Sequence, residues 1–143
     1  MPGMHDTILA FDFGRRRIGI AVGQQVTGSA NPLSVARNGD SGPDWQVIDK
    51  IVQEWQPACL VVGMPSHVDG SRSPFAAYVD EFIKELDRFE RPVHTVDERY
   101  TSREAEEMLK SERASGVRGR INKEMIDSTA AVLIAERWLR KEP

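Results

Sequence analysis

The chain has 143 residues, of which 40% are hydrophobic and 29% charged, and this balance is typical of one globular domain with its own core. Its single cysteine, Cys59, excludes an internal disulfide, and its formal net charge of −3 disfavours a protein that coats nucleic acid non-specifically. No apolar run is long enough to span a bilayer, and the chain starts without a signal-peptide pattern, so we expect a cytoplasmic protein.

The chain begins with three predicted strands after a frayed tail over residues 1–6. Apolar runs over Thr7–Phe13 and Arg17–Val22 flank Gly14, and this arrangement predicts a β-hairpin with a tight glycine turn. A third strand is predicted over Ser29–Ala36, where Pro32 is tolerable only at an edge or a bulge. The three strands together predict an antiparallel meander.

Asp12 is an unusual residue for its place in the first strand. Alternation places it on the same face as Ala10 and opposite to Phe11. Aspartate is depleted in strands, and an unpaired buried carboxylate is costly. One interpretation is a turn aspartate that caps the hairpin. The other is a site residue beside Gly14, a glycine that would let a ligand approach the backbone.

The remainder of the chain alternates helices with short buried strands. Helical spacing of apolar residues predicts helices over Asp44–Gln56, from Ser73-Pro74 onward, over Thr101–Lys110 and over Lys123–Lys141. Continuous apolar runs predict strands over Ala58–Val62 and Pro92–Val96. Loops are predicted over Asn38–Pro43, Met64–Arg72 and Ser111–Asn122. The order predicts one α/β domain: a mixed five-stranded sheet, antiparallel and then parallel, with helices on both faces and a frayed end over residues 141–143.

The cysteine and the aromatic residues are predicted to serve packing. Cys59 begins a buried strand and is expected to be inert. Tyr78 and the phenylalanines lie on helical stripes, which favours core positions over platforms for stacking bases.

Three carboxylates are candidates for a shared metal site. Asp12 ends the first strand, Glu98 follows the fifth, and Asp127 lies in the first turns of the last helix. Asp97 and Glu98 cannot both face the same side of an extended chain, so one of them is predicted to be structural. For Asp127, the alternative is a helix-start carboxylate that complements the helix dipole. Three carboxylates at one sheet edge repel each other unless a cation neutralises them, and oxygen ligands favour Mg²⁺ or Mn²⁺.

Basic residues gather in two places despite the acidic total. Arg15, Arg16 and Arg17 are consecutive, and the segment from Lys110 to Lys123 carries five cations against one glutamate. Such runs are usually solvated faces, but they can also hold a phosphate backbone with modest, salt-sensitive affinity.

Four segments in this order and spacing resemble the YqgF/RuvX family: AFDFGRRRIGIAVG, VVGMPSHVDGS, VDERYTSREAE and IDSTAAVLI. The resemblance covers about Thr7 to Leu139. It implies a ribonuclease H-like fold and an activity like that of Holliday-junction resolvases or pre-16S rRNA nucleases. It also implies that Asp12, Glu98 and Asp127 are the acidic metal-binding set, and that Arg99 and the Gly63–Gly70 loop line the nucleic-acid side.

The chain departs from the family pattern at several positions. Met125 stands where a lysine is common, which would shift the neutralisation of phosphate to Lys123 or Arg120. His67 replaces a residue that is commonly asparagine. The family also often has a small hydroxyl residue or a lysine among the positions of the arginine triplet.

These observations together predict a Mg²⁺- or Mn²⁺-dependent endonuclease acting on structured nucleic acid, with precursor rRNA favoured over four-way DNA. The predicted catalytic and metal-binding residues are Asp12, Glu98 and Asp127. The predicted phosphate contacts are Arg15, Arg16, Arg17, Arg99, Arg118, Arg120 and Lys123. A non-catalytic rRNA-binding module is one alternative, and an actin-like ATPase is another, although such an ATPase needs two lobes. A junction resolvase would act as a two-fold dimer, and the sequence leaves the oligomeric state open.

Overall fold

The computed structural model describes residues 6–66, 71–98, 107–108, 110 and 123–140, with side chains in the last range from residue 128 onward. The strands are β1 (Thr7–Phe13), β2 (Arg17–Gln24), β3 (Ser29–Gly39), β4 (Gly42–Pro43), β5 (Cys59–Met64) and β6 (Val93–Asp97). The helices are α1 (Trp45–Trp55), α2 (Ala76–Glu85) with a 3₁₀ turn over Leu86–Phe89, and α3 (Lys123–Leu139). Among the described residues, no helix is both long and apolar enough to cross a membrane.

The six strands form one mixed sheet in the order β4-β3-β2-β1-β5-β6. The pairs β1–β2, β2–β3 and β3–β4 are antiparallel, whereas β5 pairs in parallel with β1, and β6 with β5. The predicted α/β class and the meander are therefore confirmed. The predicted number of five strands was wrong. The last two residues of the loop predicted over Asn38–Pro43 pair with the end of β3 and form the short sixth strand, β4. Its two-residue turn is followed by Gly42 at φ +92°.

Pro32 lies where β3 departs from regular pairing. Ile20 pairs with Ser34 while Ala21 pairs with Pro32, so one extra β3 residue is accommodated in a bulge. At a bulge the ladder does not need the backbone hydrogen bond that proline cannot donate. The prediction that Pro32 lies at an edge or a bulge is therefore confirmed.

The two faces of the sheet are covered by different helices. Leu9 and Phe11 pack into the larger core cluster with buried residues of α1 and α2, whereas Ile8 and Ala10 pack with Ile134 of α3. Along α3 the fully buried residues include three alanines, whose small side chains let the helix approach the sheet closely: Ala130, Ala131 and Ala135. Asp12 therefore shares its face with α3, as strand alternation predicted.

The helix predicted from Ser73-Pro74 onward begins at Ala76, after a turn that Ser73 stabilises, and one aromatic residue on it is more exposed than predicted. Ser73 Oγ accepts a hydrogen bond from the Phe75 N–H at 3.2 Å, and its carbonyl accepts one from the Ala76 N–H at 2.9 Å. Tyr78, predicted to be core, is 61% exposed. It lies one residue before buried Val79, a rotation of about 100° around the helix, and so falls at the flank of the buried face.

Two predicted segments fall largely outside the described residues. Of the helix predicted over Thr101–Lys110, residues 107–108 and 110 are helical. The loop predicted over Ser111–Asn122 lies wholly outside them.

Candidate active site

Asp12 projects from the carboxyl end of β1 toward the face that α3 covers. It pairs across the hairpin with Gly19, and the preceding residue, Phe11, pairs with Val62 of β5. Continuing that parallel register places Gly63 beside Asp12. The side chain is partly buried, so its carboxylate is removed from bulk water only in part.

Glu98 reaches the same place from β6. Its N–H donates to the Met64 carbonyl at 3.1 Å, which extends the β5–β6 ladder by one residue. Glu98 therefore shares the face of Val96, whose side chain packs in the same cluster as Ile134. Two strands that are not neighbours in the sheet thus bring their carboxylates to one point.

Gly63 supplies the space for this carboxylate on the strand between them. A Cβ atom added to Gly63 would lie 2.8 Å from Glu98 Oε2 and 2.5 Å from Ile134 Cδ1. Real Cβ contacts are not that short, so any side chain here would displace the glutamate or the helix. The sequence analysis placed Gly63 after the predicted strand, at the start of the loop expected to line the nucleic-acid side, and missed this role.

The Glu98 carboxyl is hydrogen-bonded to the Asp12 side chain and holds a proton. Burial, then the charge and hydrogen bond of Asp12, then the charge of Asp97 raise the pKa of Glu98 to about 10. Two carboxylates this close cannot both ionise without compensation. At neutral pH a proton removes the repulsion between the two carboxylates, and a bound cation would also remove it.

Asp97 faces away from this pair and is held by other groups. Its Oδ1 accepts a hydrogen bond from Ser66 Oγ at 2.7 Å, and its backbone carbonyl accepts one from Arg137 Nη1 of α3 at 2.5 Å. The prediction that one member of the Asp97–Glu98 pair is structural is consistent with these contacts. They tie the segment that carries Glu98 to both the β5 exit and α3.

Helix α3 runs antiparallel to β5 and β6 and carries Asp127 toward the same sheet edge. Trp138 stacks on His94 near the start of β6, with ring centroids 4.2 Å apart, whereas Ile134 lies beside Gly63 near the end of β5. Asp127 comes seven residues, about two turns, before Ile134 and therefore falls on the same side of the helix. Its backbone is helical, but its side chain lies outside the described residues, so its role stays a prediction.

The arginine triplet lies in the β1–β2 turn, and the turn has a support that the sequence analysis missed. The Gly14 N–H donates to the Arg17 carbonyl at 2.9 Å, and a Cβ on Gly14 would lie 2.7 Å from that oxygen. Glycine is therefore required by the turn itself. Asn38 of β3, which its composition assigned to a loop, is 8% exposed. Its Nδ2 donates a hydrogen bond to the Gly14 carbonyl at 2.6 Å, and its backbone N–H donates one to the Arg16 carbonyl at 2.8 Å.

The other predicted contacts to nucleic acid fall outside the described residues. Arg99, Arg118 and Arg120 belong to this group, and so does His67 of the Gly63–Gly70 loop. Lys123 begins α3, but its side chain is not described. Within the described residues Arg15 and Arg16 are exposed and Arg17 is half-buried, and their contact with phosphate stays a prediction.

The described side chains contain a pair of carboxylates rather than a complete metal site. Among them, no three histidine, cysteine, aspartate or glutamate residues lie close enough together to hold an ion. The Asp12–Glu98 pair has the donor chemistry that suits Mg²⁺ or Mn²⁺, since both groups are carboxylate oxygens that need compensating charge. Cys59 offers no alternative centre, because burial raises the pKa of its thiol as predicted for an inert core cysteine.

The chain matches a known protein family over nearly its whole length. A family model described as "RuvX: Holliday junction resolvase" matches residues 6–141. A protein of Haemophilus ducreyi named "Putative pre-16S rRNA nuclease" is 43% identical over 141 residues, covering 98% of this chain and all of the relative. A Pseudomonas putida protein of the same name is 41% identical, covering 92% of this chain and 93% of the relative.

A solved structure of Thermus thermophilus RuvC in complex with a Holliday junction substrate is similar in fold. The TM-score is 0.54 at 16% identity, with 96% of this chain and 98% of that chain covered. The fowlpox virus Holliday junction resolvase gives a TM-score of 0.52 at 10% identity, with 94% and 98% covered. These similarities confirm the ribonuclease H-like fold.

Replacing Gly63 with alanine should displace Glu98 and destabilise the fold. The added methyl group would overlap the glutamate carboxylate and Ile134, and overpacking of this kind costs about 1–3 kcal/mol of unfolding free energy. Denaturant unfolding measures the change. Gly39→Ala is the matched control, since a Cβ there meets nothing within 4 Å. Equal stability of the two variants would contradict the close contact.

The metal-free protein should lose stability relative to Glu98→Gln as the pH rises. The folded chain keeps a proton on Glu98 up to a pKa of about 10, whereas the unfolded chain releases it above the ordinary value of 4.5. The contribution of Glu98 to the free energy of unfolding is therefore complete below pH 4.5. It declines between pH 4.5 and about pH 10, by at most about 1.4 kcal/mol per pH unit. Unfolding in the presence of EDTA at several pH values measures the difference. Glu54→Gln, on the exposed side of α1, is the control, and its free energy of unfolding should change with pH in the same way as that of the parent.

Replacing Asn38 with alanine should loosen the arginine turn. The substitution removes a buried donor from the Gly14 carbonyl, at a cost of about 1–2 kcal/mol of unfolding free energy. Denaturant unfolding and amide hydrogen exchange at Arg16 and Arg17 measure the effect, with the exposed Asn31→Ala as control. Unchanged exchange in the turn would show that Asn38 does not support it.

Proposed function

Since the chain belongs to the RuvX family, whose curated relatives carry nuclease names, we propose that it is a metal-dependent endonuclease that cleaves phosphodiester bonds in precursor 16S rRNA. The observation that carries the proposal is the Asp12–Glu98 carboxylate pair, which two strands bring together at the sheet edge toward which α3 directs its first turns. Partly buried carboxylates in contact are costly to the fold unless a proton or a cation joins them. Such a cost is typical of functional sites.

Asp12 and Glu98 would hold the ion, and Asp127 would complete the ligand set from α3. A bound Mg²⁺ or Mn²⁺ supplies an activated water and stabilises charge on the leaving oxygen. An ion held by these two carboxylates would take the place of the proton on Glu98. Because Gly63 has no side chain, the Glu98 carboxylate and Ile134 can occupy the space over this strand, and the glutamate lies within reach of Asp12.

The arginine turn would position the substrate strand at this pair. Arg15 and Arg16 are exposed in a turn that starts two residues after Asp12, so phosphates bound there would lie near the carboxylates. The turn is closed by the Gly14–Arg17 hydrogen bond and supported by Asn38, which limits the loss of entropy on binding. Arg99, Arg118, Arg120 and Lys123 remain further proposed contacts. With a net charge of −3 the protein would rely on these local cations and lose affinity as salt is added.

The names of the similar proteins favour RNA over branched DNA. Relatives of about 40% identity over nearly the whole chain carry the rRNA-nuclease name, whereas the junction-bound structure shares 16% identity. A precursor-rRNA substrate also implies work in the cytoplasm. Cleavage of matched precursor rRNA and four-way DNA, each with and without Mn²⁺, separates the two substrates. Preferential cutting of the DNA junction would favour a resolvase, which needs a two-fold dimer to cut symmetric strands.

Replacing Asp12 with asparagine should abolish cleavage while RNA binding and folding persist. The substitution keeps the shape of the side chain but removes the charge that would hold the cation, and we expect a loss of about 100-fold or more in rate. A gel cleavage assay with added Mg²⁺ or Mn²⁺ measures the rate, and filter binding measures affinity. Asp49→Asn on the exposed side of α1 is the matched control.

Two outcomes of that assay would contradict the proposal. Equal activity of Asp12→Asn and the parent would remove the catalytic role. Binding that persists with no cleavage of either substrate, or cleavage that EDTA leaves unchanged, would favour the non-catalytic rRNA-binding module or a metal-independent mechanism.

A further inference from the structure

A groove lies on the side of the sheet opposite to the carboxylate pair. It runs between the β3–β4 hairpin and α2 and has a volume of about 400 Å³. Phe13 contributes to its floor, and because Phe13 and Asp12 are consecutive in β1, they face opposite sides. The groove and the carboxylate pair therefore share one sheet edge, but not one surface.

The floor of the groove is aromatic. Phe75 lies 5.8 Å from Phe13 and 5.4 Å from Tyr78, and Phe13 lies 4.8 Å from Phe82, measured between ring centroids. Tyr78 is 61% exposed, so one ring of this series presents much of its surface to the solvent. Such faces attract cations through their quadrupole.

The rim of the groove carries three carboxylates, from Asp40 in the hairpin turn and from Glu81 and Glu85 on α2. Glu81 pairs with Lys84 at 3.7 Å and Glu85 with Arg88 at 4.0 Å, one helical turn along and with exposed side chains. Exposed pairs of this kind contribute little stability, so a ligand cation can replace them at small cost.

The chain's own arginines already stack on this side of the sheet. The Arg15 guanidinium lies 5.6 Å from the Phe75 ring centroid, at one end of the groove, and the Arg88 guanidinium lies 3.8 Å from the Trp45 ring centroid nearby. Both contacts show that arginine fits the aromatic surface here. They leave the exposed Tyr78 ring, with Glu81 and Glu85 on the same helix, as a place for a further cation.

We propose that this groove binds a basic segment of a partner protein, with an arginine side chain stacked on Tyr78 and paired with Glu81 or Glu85. A nucleic-acid strand is the less favourable occupant, because its phosphates would meet the carboxylates of Asp40, Glu81 and Glu85 in the lining, whose described cation is Arg15. Lys84 and Arg88 pair with Glu81 and Glu85 from beside the groove, through exposed contacts that an incoming cation can replace. An arginine matches both features of the groove, since its planar guanidinium stacks on rings and binds carboxylates. The inference does not depend on the nuclease activity.

Binding of short labelled peptides to the full-length protein tests this proposal. The probes are fluorescein-labelled Gly-Arg-Gly-Arg-Gly and the same peptide with glutamate in place of arginine, and fluorescence anisotropy at low salt gives the Kd. The arginine peptide should bind saturably and the glutamate peptide should not. The double variant Glu81→Gln/Glu85→Gln should weaken binding about fivefold to tenfold, through the loss of two exposed charge pairs.

Matched variants separate the groove from general charge attraction. Asp49→Asn/Glu54→Gln removes two exposed charges from α1 and should leave the Kd unchanged. Tyr78→Ala should weaken binding about threefold, whereas Tyr78→Phe, which keeps the ring, should not. Circular dichroism confirms that each variant is folded, as expected for substitutions of exposed side chains.

Three outcomes would overturn the proposal. The first is a Kd for the arginine peptide weaker than about 1 mM. The second is equal weakening by the α1 and groove variants. The third is a loss of affinity for an RNA oligonucleotide, rather than for the peptide, in Tyr78→Ala. Cleavage by the Glu81→Gln/Glu85→Gln variant should stay at the parent rate, so this test and the Asp12→Asn assay can fail independently.

Discussion

A hydrogen bond between two carboxyl groups, Asp12 and Glu98, is the contact on which the rest of this site depends. Burial and mutual repulsion make the pair unfavourable when both groups are ionised, so it exists with a proton or with a cation. The fold holds it from several directions: Gly63 keeps the strand between them clear, and Arg137 fixes the backbone beside Glu98. A pair maintained against its own electrostatics is better explained by chemistry at that point than by stability.

The sheet separates two surfaces that share the β1–β2 turn. The turn begins two residues after Asp12, whose carboxylate lies on the α3 side, and on the α2 side its Arg15 stacks on Phe75 at the end of the aromatic groove. The first surface is the proposed place of the substrate phosphates, which the exposed Arg16 would contact. The second suits cations, because carboxylates rim it. A basic partner in the groove would therefore lie beside the substrate-binding turn, whose Arg15 lines one end of the groove.

Local patterns predicted most of the elements, because each depends on neighbours in the chain. Strand alternation put Asp12 on the correct face, and the proline in β3 limited that position to an edge or a bulge, of which the structure has the bulge. Two errors share one cause. Asn38 was assigned to a loop by its composition, but its partner is the Gly14 carbonyl, which is 24 residues away in the chain. Tyr78 was assigned to the core by its spacing, but it lies at the edge of the buried helix face, and spacing does not show where that edge falls. Both positions are decided by tertiary contacts and not by periodicity.

By itself the sequence determined the α/β order, the resemblance to a nuclease family and the identity of the candidate carboxylates. These depend on residue type and on spacing, which the chain displays directly. Only the tertiary structure decided that Asp12 and Glu98 touch, that Gly63 must be glycine, and that an aromatic groove opens behind them. Those facts arise from residues far apart in the chain, and their distances exist only once the strands have paired and the helices have packed.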